Sequence, residues 1–242
     1  MATIYFQPQL DIPADLEATL IEISSAGDDN LVLKTDLEDS QKRWLIVGIC
    51  LQSVIAPVLR QYAEPVVISL YRQVRTSDQI DVQTFSKYLK TYGPNNTKLN
   101  YETINNNKSI PWSHGKKNII KYDYKVTNHV DFSKLFLVTS MAHYSAFDEC
   151  DLSALLGMII NIHTFPQILQ TVSKSVRSDV RNAWAHCNFD EWDTMQYQQS
   201  FQLMQQLIRH IQLNPVDEAR LLSELRKWEV NGICFLQGYA IG

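Results

Sequence analysis

Cysteine is scarce in this sequence, and its four copies are far apart. They stand singly at Cys50, Cys150, Cys187 and Cys234, with no Cys-x-x-Cys pair. This distribution excludes a disulfide scaffold and a RING-type zinc module. Isolated thiols of this kind suit a reducing compartment, so we expect a cytoplasmic location.

The glycine-rich loops that cradle phosphates and cofactors are also missing. The sequence has no Gly-x-x-x-x-Gly-Lys, Gly-x-Gly-x-x-Gly or Gly-x-Ser-x-Gly pattern, which argues against P-loop, dinucleotide-binding and hydrolase-elbow sites. Histidine and cysteine lack metal-ligand spacing, since the nearest candidates are scattered over His143, Cys150, His186 and Cys187. We therefore expect neither a metal ion nor a cofactor.

We also expect neither a membrane-spanning run nor a secretory leader. The most apolar stretch, Leu45–Leu59, contains Gln52, Ser53 and Pro57 and is shorter than the roughly 20 residues that a bilayer span needs. The polar N-terminus does not resemble a signal peptide. We expect a core helix here and no membrane partner.

Charge is unevenly distributed although the net charge is only −4. Residues 1–40 contain nine acids and one lysine, whereas residues 98–125 contain six lysines and two acids. Lys116, Lys117 and His114 in the second segment are candidates for contact with RNA phosphates. The alternative is a solvated lysine-rich loop, which is the usual role of such charge.

Apolar residues recur at three- and four-residue spacing over most of the chain, which predicts helices. We expect them at about 14–24, from Ser40 onward with breaks at Pro57 and Pro65, at 82–90, 131–144, 151–163 and 166–187, after a cap at Asp190, and after Asn214-Pro215. Periodicity is lost between Gly93 and Tyr124. The prediction is an all-α, up-and-down bundle with a long internal loop at about 93–124. An acidic segment, 1–39, would precede the main domain, 40–242.

One motif stands out at the end of the helix predicted over 166–187. Arg181 is followed directly by Asn182, and His186 comes four residues later. An Arg-to-His spacing alone is common by chance, but Asn directly after Arg makes the pattern about a hundredfold rarer. Asn182 and His186 share a helix face, while Arg181 and His186 are about 140° apart around an ideal helix.

This segment resembles the HEPN superfamily, whose motif is Arg, a polar residue that is often Asn, and then His. Within that group it looks closest to the HEPN domain of the DAZ-interacting RNA-binding ubiquitin ligase and related animal proteins. The segments 44–50 and 98–107 are also similar to parts of that group. The resemblance implies an HEPN-like bundle that acts as a homodimer.

The resemblance also implies roles for the motif residues. His186 would move the proton of a ribose 2′-hydroxyl, Arg181 would hold the phosphate, and Asn182 would orient either group, in a metal-independent endoribonuclease. Arg177, one turn earlier, joins the RNA-binding candidates. Other members of the superfamily are inactive and bind RNA or proteins.

Two further readings remain open. The chain could be an adaptor in stress or immune signalling, with a signalling or ubiquitin-ligase protein as its partner. The motif itself could also be a structural corner, in which Arg181 pairs with Asp148, Glu149 or Asp179 and His186 caps a helix end. Trp184 and Trp192 continue apolar stripes and are predicted to be core anchors.

Overall fold

The computed structural model describes residues 37–104 and 123–237, apart from the side chains of Phe235 and Gln237. Helices account for 69% of these residues and strands for 3%, which confirms the all-α prediction. The helix predicted at about 14–24 lies outside the described residues.

The first half is built on one continuous helical segment. Helix α1 (Asp39–Cys50) runs into a π-helical stretch (Leu51–Ile55) and then into α2 (Ala56–Asp78). Proline lacks the N–H that an α-helix needs, and Pro57 is the second residue of α2, just after the π stretch. The predicted break at Pro57 therefore takes the form of a change in helix type. Pro65, by contrast, lies inside α2 without dividing it.

This helical segment is long and apolar enough to span a bilayer. Its most apolar window has a mean hydropathy of 1.5, and 67% of that window is buried inside the protein. Core helices have the same properties, because they are covered by protein instead of lipid. The contacts described below are those of a core helix.

The prediction of a helix at 82–90 is wrong. Residues 79–90 form turns, with one isolated bridge between Thr84 and Lys87. The buried side chain of Gln83 takes over backbone bonds here: its amide oxygen accepts from the N–H of Leu89 at 3.0 Å, and its amide nitrogen donates to the carbonyl of Tyr124. Such side-chain bonds compete with a helical ladder.

The first part of the predicted loop is ordered. Strands β1 (Thr91–Tyr92) and β2 (Thr97–Lys98) form an antiparallel hairpin, whose turn uses the left-handed region at Gly93, φ +77°. A 3₁₀ turn follows at Tyr101–Thr103. Tyr101 and Ile104 are buried and pin this segment to the core.

The second half forms the bundle. It contains α3 (His129–Lys134), α4 (Leu152–Asn161), α5 (Gln167–Ser175), a π segment (Val176–Asn182), α6 (Ala183–Ala185), α7 (Thr194–His210) and α8 (Pro215–Gln237). Short 3₁₀ turns lie at Thr139–Met141, Phe147–Glu149 and Phe189–Glu191. Helix α1 packs against α7 and α8, α2 packs on α3 and α4, and α5 lies between α4 and α7.

Two boundaries differ from the predictions. Helix α3 ends at Lys134 instead of continuing to 144, because the carbonyls of residues 135–137 accept bonds from Asn100 and Asn161. The cap of α7 is Asp193 instead of Asp190, and its carboxylate accepts from the N–H of Gln196 at 2.8 Å. The predicted start at Asn214-Pro215 is confirmed, since Asn214 accepts from the N–H of Asp217 at 2.9 Å.

Candidate functional site

The motif lies on a helix that changes type just before the motif ends. The π segment Val176–Asn182 carries Arg181 and Asn182, and α6 carries the chain on to His186. Val172, Val176 and Val180, the valine stripe, are buried at four-residue intervals. A turn with i→i+5 bonds holds about one residue more than an α-turn, so this mixture of types keeps a four-residue stripe on one side.

Arg181 contacts Asn182 and no acid within the described residues. Its guanidinium nitrogen Nη1 donates to the side-chain oxygen of Asn182 at 3.2 Å. Two of the three acids considered as partners are engaged elsewhere: Asp179 accepts from the hydroxyl of Ser178, and Glu149 accepts from the N–H groups of Ser145 and Ala146. Those backbone bonds lower the pKa of Glu149. No ion pair joins the third acid, Asp148, to Arg181 in the described part of the chain. The predicted structural ion pair is therefore wrong.

His186 ends the helix and is exposed. Its backbone N–H donates to the carbonyl of Asn182 at 3.1 Å, which places the two residues one turn apart as predicted. Cys187 then adopts a left-handed conformation, φ +53°. Within residues 37–104 and 123–237 the imidazole makes no hydrogen bond. His186 is the C-cap residue of α6, as the structural alternative expected, and the nearby Asn188 amide donates to Glu191.

Aromatic residues hold the turn that carries His186. The indoles of Trp44 and Trp184 are stacked with centroids 5.4 Å apart, and Phe189 meets Trp44 edge-on at 5.3 Å. The Trp44 N–H donates to the carbonyl of Trp184 at 2.8 Å. Trp184 and Phe189 flank His186 in sequence, so this aromatic clamp (Trp44, Trp184, Phe189) fixes both ends of the turn.

The aromatic clamp is the part of the site that sequence reasoning missed. Trp192 is a core anchor as predicted, with 1% of its surface exposed, whereas Trp184 is only half-buried. A signal was available at Gly48, four residues after Trp44 and therefore on the same face of α1. A small residue there is what a close approach of Trp184 requires.

Three basic residues lie along one side of the motif helix. Lys174, Arg177 and Arg181 are spaced by three and four residues, which places them on one face, and we call them the basic stripe. Lys174 is exposed, and Arg177 and Arg181 are half-buried. None of the three forms an ion pair with a described carboxylate, although Arg177 contacts the sulfur of Met141 at 3.9 Å.

A groove of about 740 Å³ lies on another side of the same helix, against α7. Its lining, which we call the glutamine groove, is acidic and amide-rich: Asp179, Ala183, Glu191, Asp193, Met195, Gln196, Gln199, Ser200, Gln202, Leu203 and Gln206. The carboxylates there would repel phosphate. The side of the helix that carries the basic stripe is therefore more favourable for a phosphate group than the glutamine groove.

The remaining predicted residues are only partly accounted for. Lys116, Lys117 and His114 lie outside the described residues. In the described part of the chain, no three His, Cys, Asp or Glu side chains are grouped as metal ligands. His143 and Cys187 are exposed, whereas Cys150 is buried, and its burial raises the pKa of the thiol to about 12.

Comparison with models of known protein families, with curated proteins and with solved structures gives no match.

Proposed function

We propose that this chain is an HEPN-like RNA-binding protein whose Arg181, Asn182 and His186 form a metal-independent ribonuclease site. The observation that carries the proposal is the state of these side chains: His186 is exposed without a hydrogen bond in the described part, and Arg181 has no described acid. A structural corner would use both groups internally. Guanidinium donors without an acid partner and an exposed imidazole on the same helix instead favour an anionic ligand.

The chemistry follows from the residue types. His186 accepts the proton of the ribose 2′-hydroxyl, whose oxygen attacks the neighbouring phosphorus while the bond to the 5′-oxygen breaks. The leaving oxygen takes up a proton, and the products are a 2′,3′-cyclic phosphate and a 5′-hydroxyl. Arg181 offsets the phosphate charge through its planar guanidinium. Asn182 holds the guanidinium through the observed contact.

The active form we propose is a cytoplasmic homodimer. Arg181 bonds Asn182 instead of His186, and the five-residue gap puts the two functional ends on different sides of the helix. A second copy would supply the complementary half of the site. Sedimentation of the full chain should therefore give twice the mass of 27.9 kDa.

The glutamine groove favours a second candidate function. Its acids and amides suit a protein segment better than RNA, and Met195 is 65% exposed beside them. In this case the chain would be an adaptor for a signalling or ubiquitin-ligase protein. Such a partner would stay bound when His186 is replaced.

The deciding experiment incubates purified protein with labelled single-stranded RNA in EDTA. Wild type is compared with Arg181→Ala and His186→Ala, and with His143→Ala as a matched change at another exposed histidine. Cleavage by wild type and His143→Ala alone, with cyclic phosphate ends, supports the ribonuclease. Absence of cleavage with RNA binding that depends on Arg177 and Arg181 leaves a binding module. Absence of both favours the adaptor.

A further inference from the structure

A second cleft lies away from the motif, beside the β-hairpin. It has a volume of about 870 Å³ and is bounded by β1, β2, the Tyr101–Thr103 turn and the end of α3, with Asn161 of α4 at its edge. We call it the hairpin cleft. Clefts of roughly 300–1,000 Å³ are typical of small-ligand and nucleotide sites.

Among the described residues that line the hairpin cleft, positive charge exceeds negative charge. Lys90 and Lys98 are exposed, both line the cleft, and neither forms an ion pair with a described carboxylate. The ammonium group of Lys90 lies 5.7 Å from the centre of the Tyr88 ring. Glu102 is the acid that lines the cleft, so the balance there is positive.

Other groups lining the cleft are also unused. The hydroxyls of Thr91 and Thr97 make no hydrogen bond within the described part of the chain. The amide of Asn161 donates to the carbonyl of Phe136 at 2.7 Å, and its oxygen accepts no hydrogen bond from a described residue. Val138 also lines the cleft and is 55% exposed. Polar groups around an uncovered apolar side chain are the features expected of a ligand site.

The wall of the cleft is rigid. Tyr101 is buried, its hydroxyl donates to the carbonyl of Leu89 at 2.7 Å, and Gln83 donates to that hydroxyl at 2.8 Å. The rings of Tyr88 and Tyr124 lie 3.9 Å apart between centroids. A preformed wall lowers the entropy cost of binding.

We propose that the hairpin cleft is a second contact site for single-stranded RNA. Lys90 and Lys98 bind backbone phosphates, and Val138 lies against a base. The choice of RNA as ligand rests on the proposed function, since the motif would need a strand held at more than one point. The exposed lysines and the exposed apolar side chain of Val138 match the charged backbone and flat bases of an unpaired strand.

The test measures binding of a fluorescent twelve-nucleotide RNA to the full chain by anisotropy, in a salt series. The cleft variants are Lys90→Gln/Lys98→Gln and Val138→Glu. Their matched controls are Lys87→Gln/Lys125→Gln, which removes the same charge outside the cleft, and Val216→Glu at another exposed valine. Arg177→Ala/Arg181→Ala reports on the motif.

The expected result is a loss of affinity on the order of tenfold for the lysine cleft variant, with a salt slope lower by about 1.4, the value for two lost phosphate contacts on a single strand. Val138→Glu should also weaken binding, while both controls bind within about twofold of wild type.

Equal loss in the cleft variants and their controls would overturn the second site, because only overall charge would then matter. Loss in the motif variant alone overturns this site and leaves the proposed function standing. Loss in the cleft variants alone would support the hairpin cleft as an RNA site and overturn the proposed function of the motif. A wild type that binds no RNA overturns both.

Discussion

The indole of Trp184 occupies the space that a side chain at Gly48 would need. A methyl group added to Gly48 would lie 2.5 Å from Nε1 of Trp184 and 2.8 Å from Cε2. These atoms belong to the rigid indole of Trp184, which stacks on the ring of Trp44. The position of the turn that carries His186 therefore depends on Gly48 of α1 having no side chain.

Gly48→Ala should destabilise the protein by about 1–3 kcal/mol, although alanine is the better helix former. The clash with Trp184 outweighs the gain in propensity because the indole cannot rotate away from Trp44. Urea denaturation measures the loss, and near-ultraviolet circular dichroism reports the moved indole. Gln52→Ala, an exposed change on the adjoining π turn, should stay within about 0.5 kcal/mol of wild type. A more stable Gly48→Ala would contradict this packing.

Trp44 and Trp184 should be energetically coupled. We expect the double-mutant cycle of Trp44→Leu and Trp184→Leu to give a coupling of about 0.5–1.5 kcal/mol, the range for stacked aromatic pairs. Trp44→Leu combined with Ile168→Ala, a change at the far end of the motif helix, should be additive. Additivity in the first cycle would show that the stack contributes nothing beyond burial.

Replacing the buried Lys134 of α3 should cost less stability than replacing its ion-pair partner, Asp131. Lys134 is fully buried, its Nζ lies 3.3 Å from the carboxylate of Asp131, and it lies 5.1 Å from the Tyr144 ring centre. Lys134→Met removes the charge and keeps the volume, so it should change stability by less than about 1.5 kcal/mol. Asp131→Ala leaves a buried ammonium group uncompensated and should cost about 3–5 kcal/mol. Chemical denaturation of both variants makes the comparison, and equal losses would contradict it.

Stability should fall at alkaline pH through the buried tyrosines. Burial raises the pKa of Tyr101 from its ordinary value of 10.0 to about 12. A raised folded-state pKa means that the stabilisation is complete below pH 10 and is lost as the pH rises towards 12, because the unfolded chain ionises first. The loss from this group is roughly 2–3 kcal/mol.

Tyr101→Phe isolates this contribution. It should lower stability at neutral pH, because the bonds to Leu89 and Gln83 are lost. The decline between pH 10 and 12 should become shallower. Urea titrations at several pH values measure both effects, and an unchanged slope would assign the decline to other groups, such as Cys150.

The sequence was sufficient for the bundle but not for its irregular parts. Helices with a clear apolar stripe, such as α4, α5 and α8, lie close to their predicted positions, since burial of one face determines them. The segment at 82–90 has helical spacing too, yet Gln83 bonds to distant backbone groups. Hydrogen bonds from a side chain to distant backbone groups leave no periodic pattern in the sequence, so they could not be predicted from it.

The sequence predicted which residues form the candidate site but not how their side chains are arranged. The order Arg181-Asn182-His186 is readable directly, and so is the pairing of Asn182 with His186 by spacing. The contact of Arg181 with Asn182 and the role of Trp44 depend on which helices meet, and the sequence does not encode that locally. Lys90 and Lys98 likewise share a cleft only because of the hairpin.

The π segment also restricts how the motif helix can change length. Deleting one residue from Val176–Asn182 would restore an α-turn and rotate the chain beyond it by about 100° relative to the chain before it. Either the buried valines or the Arg181–His186 end would then face the wrong way. The one extra residue therefore fixes the rotation of the Arg181–His186 end relative to the buried valines. A single deletion would keep one of these two groups in its present orientation but not both.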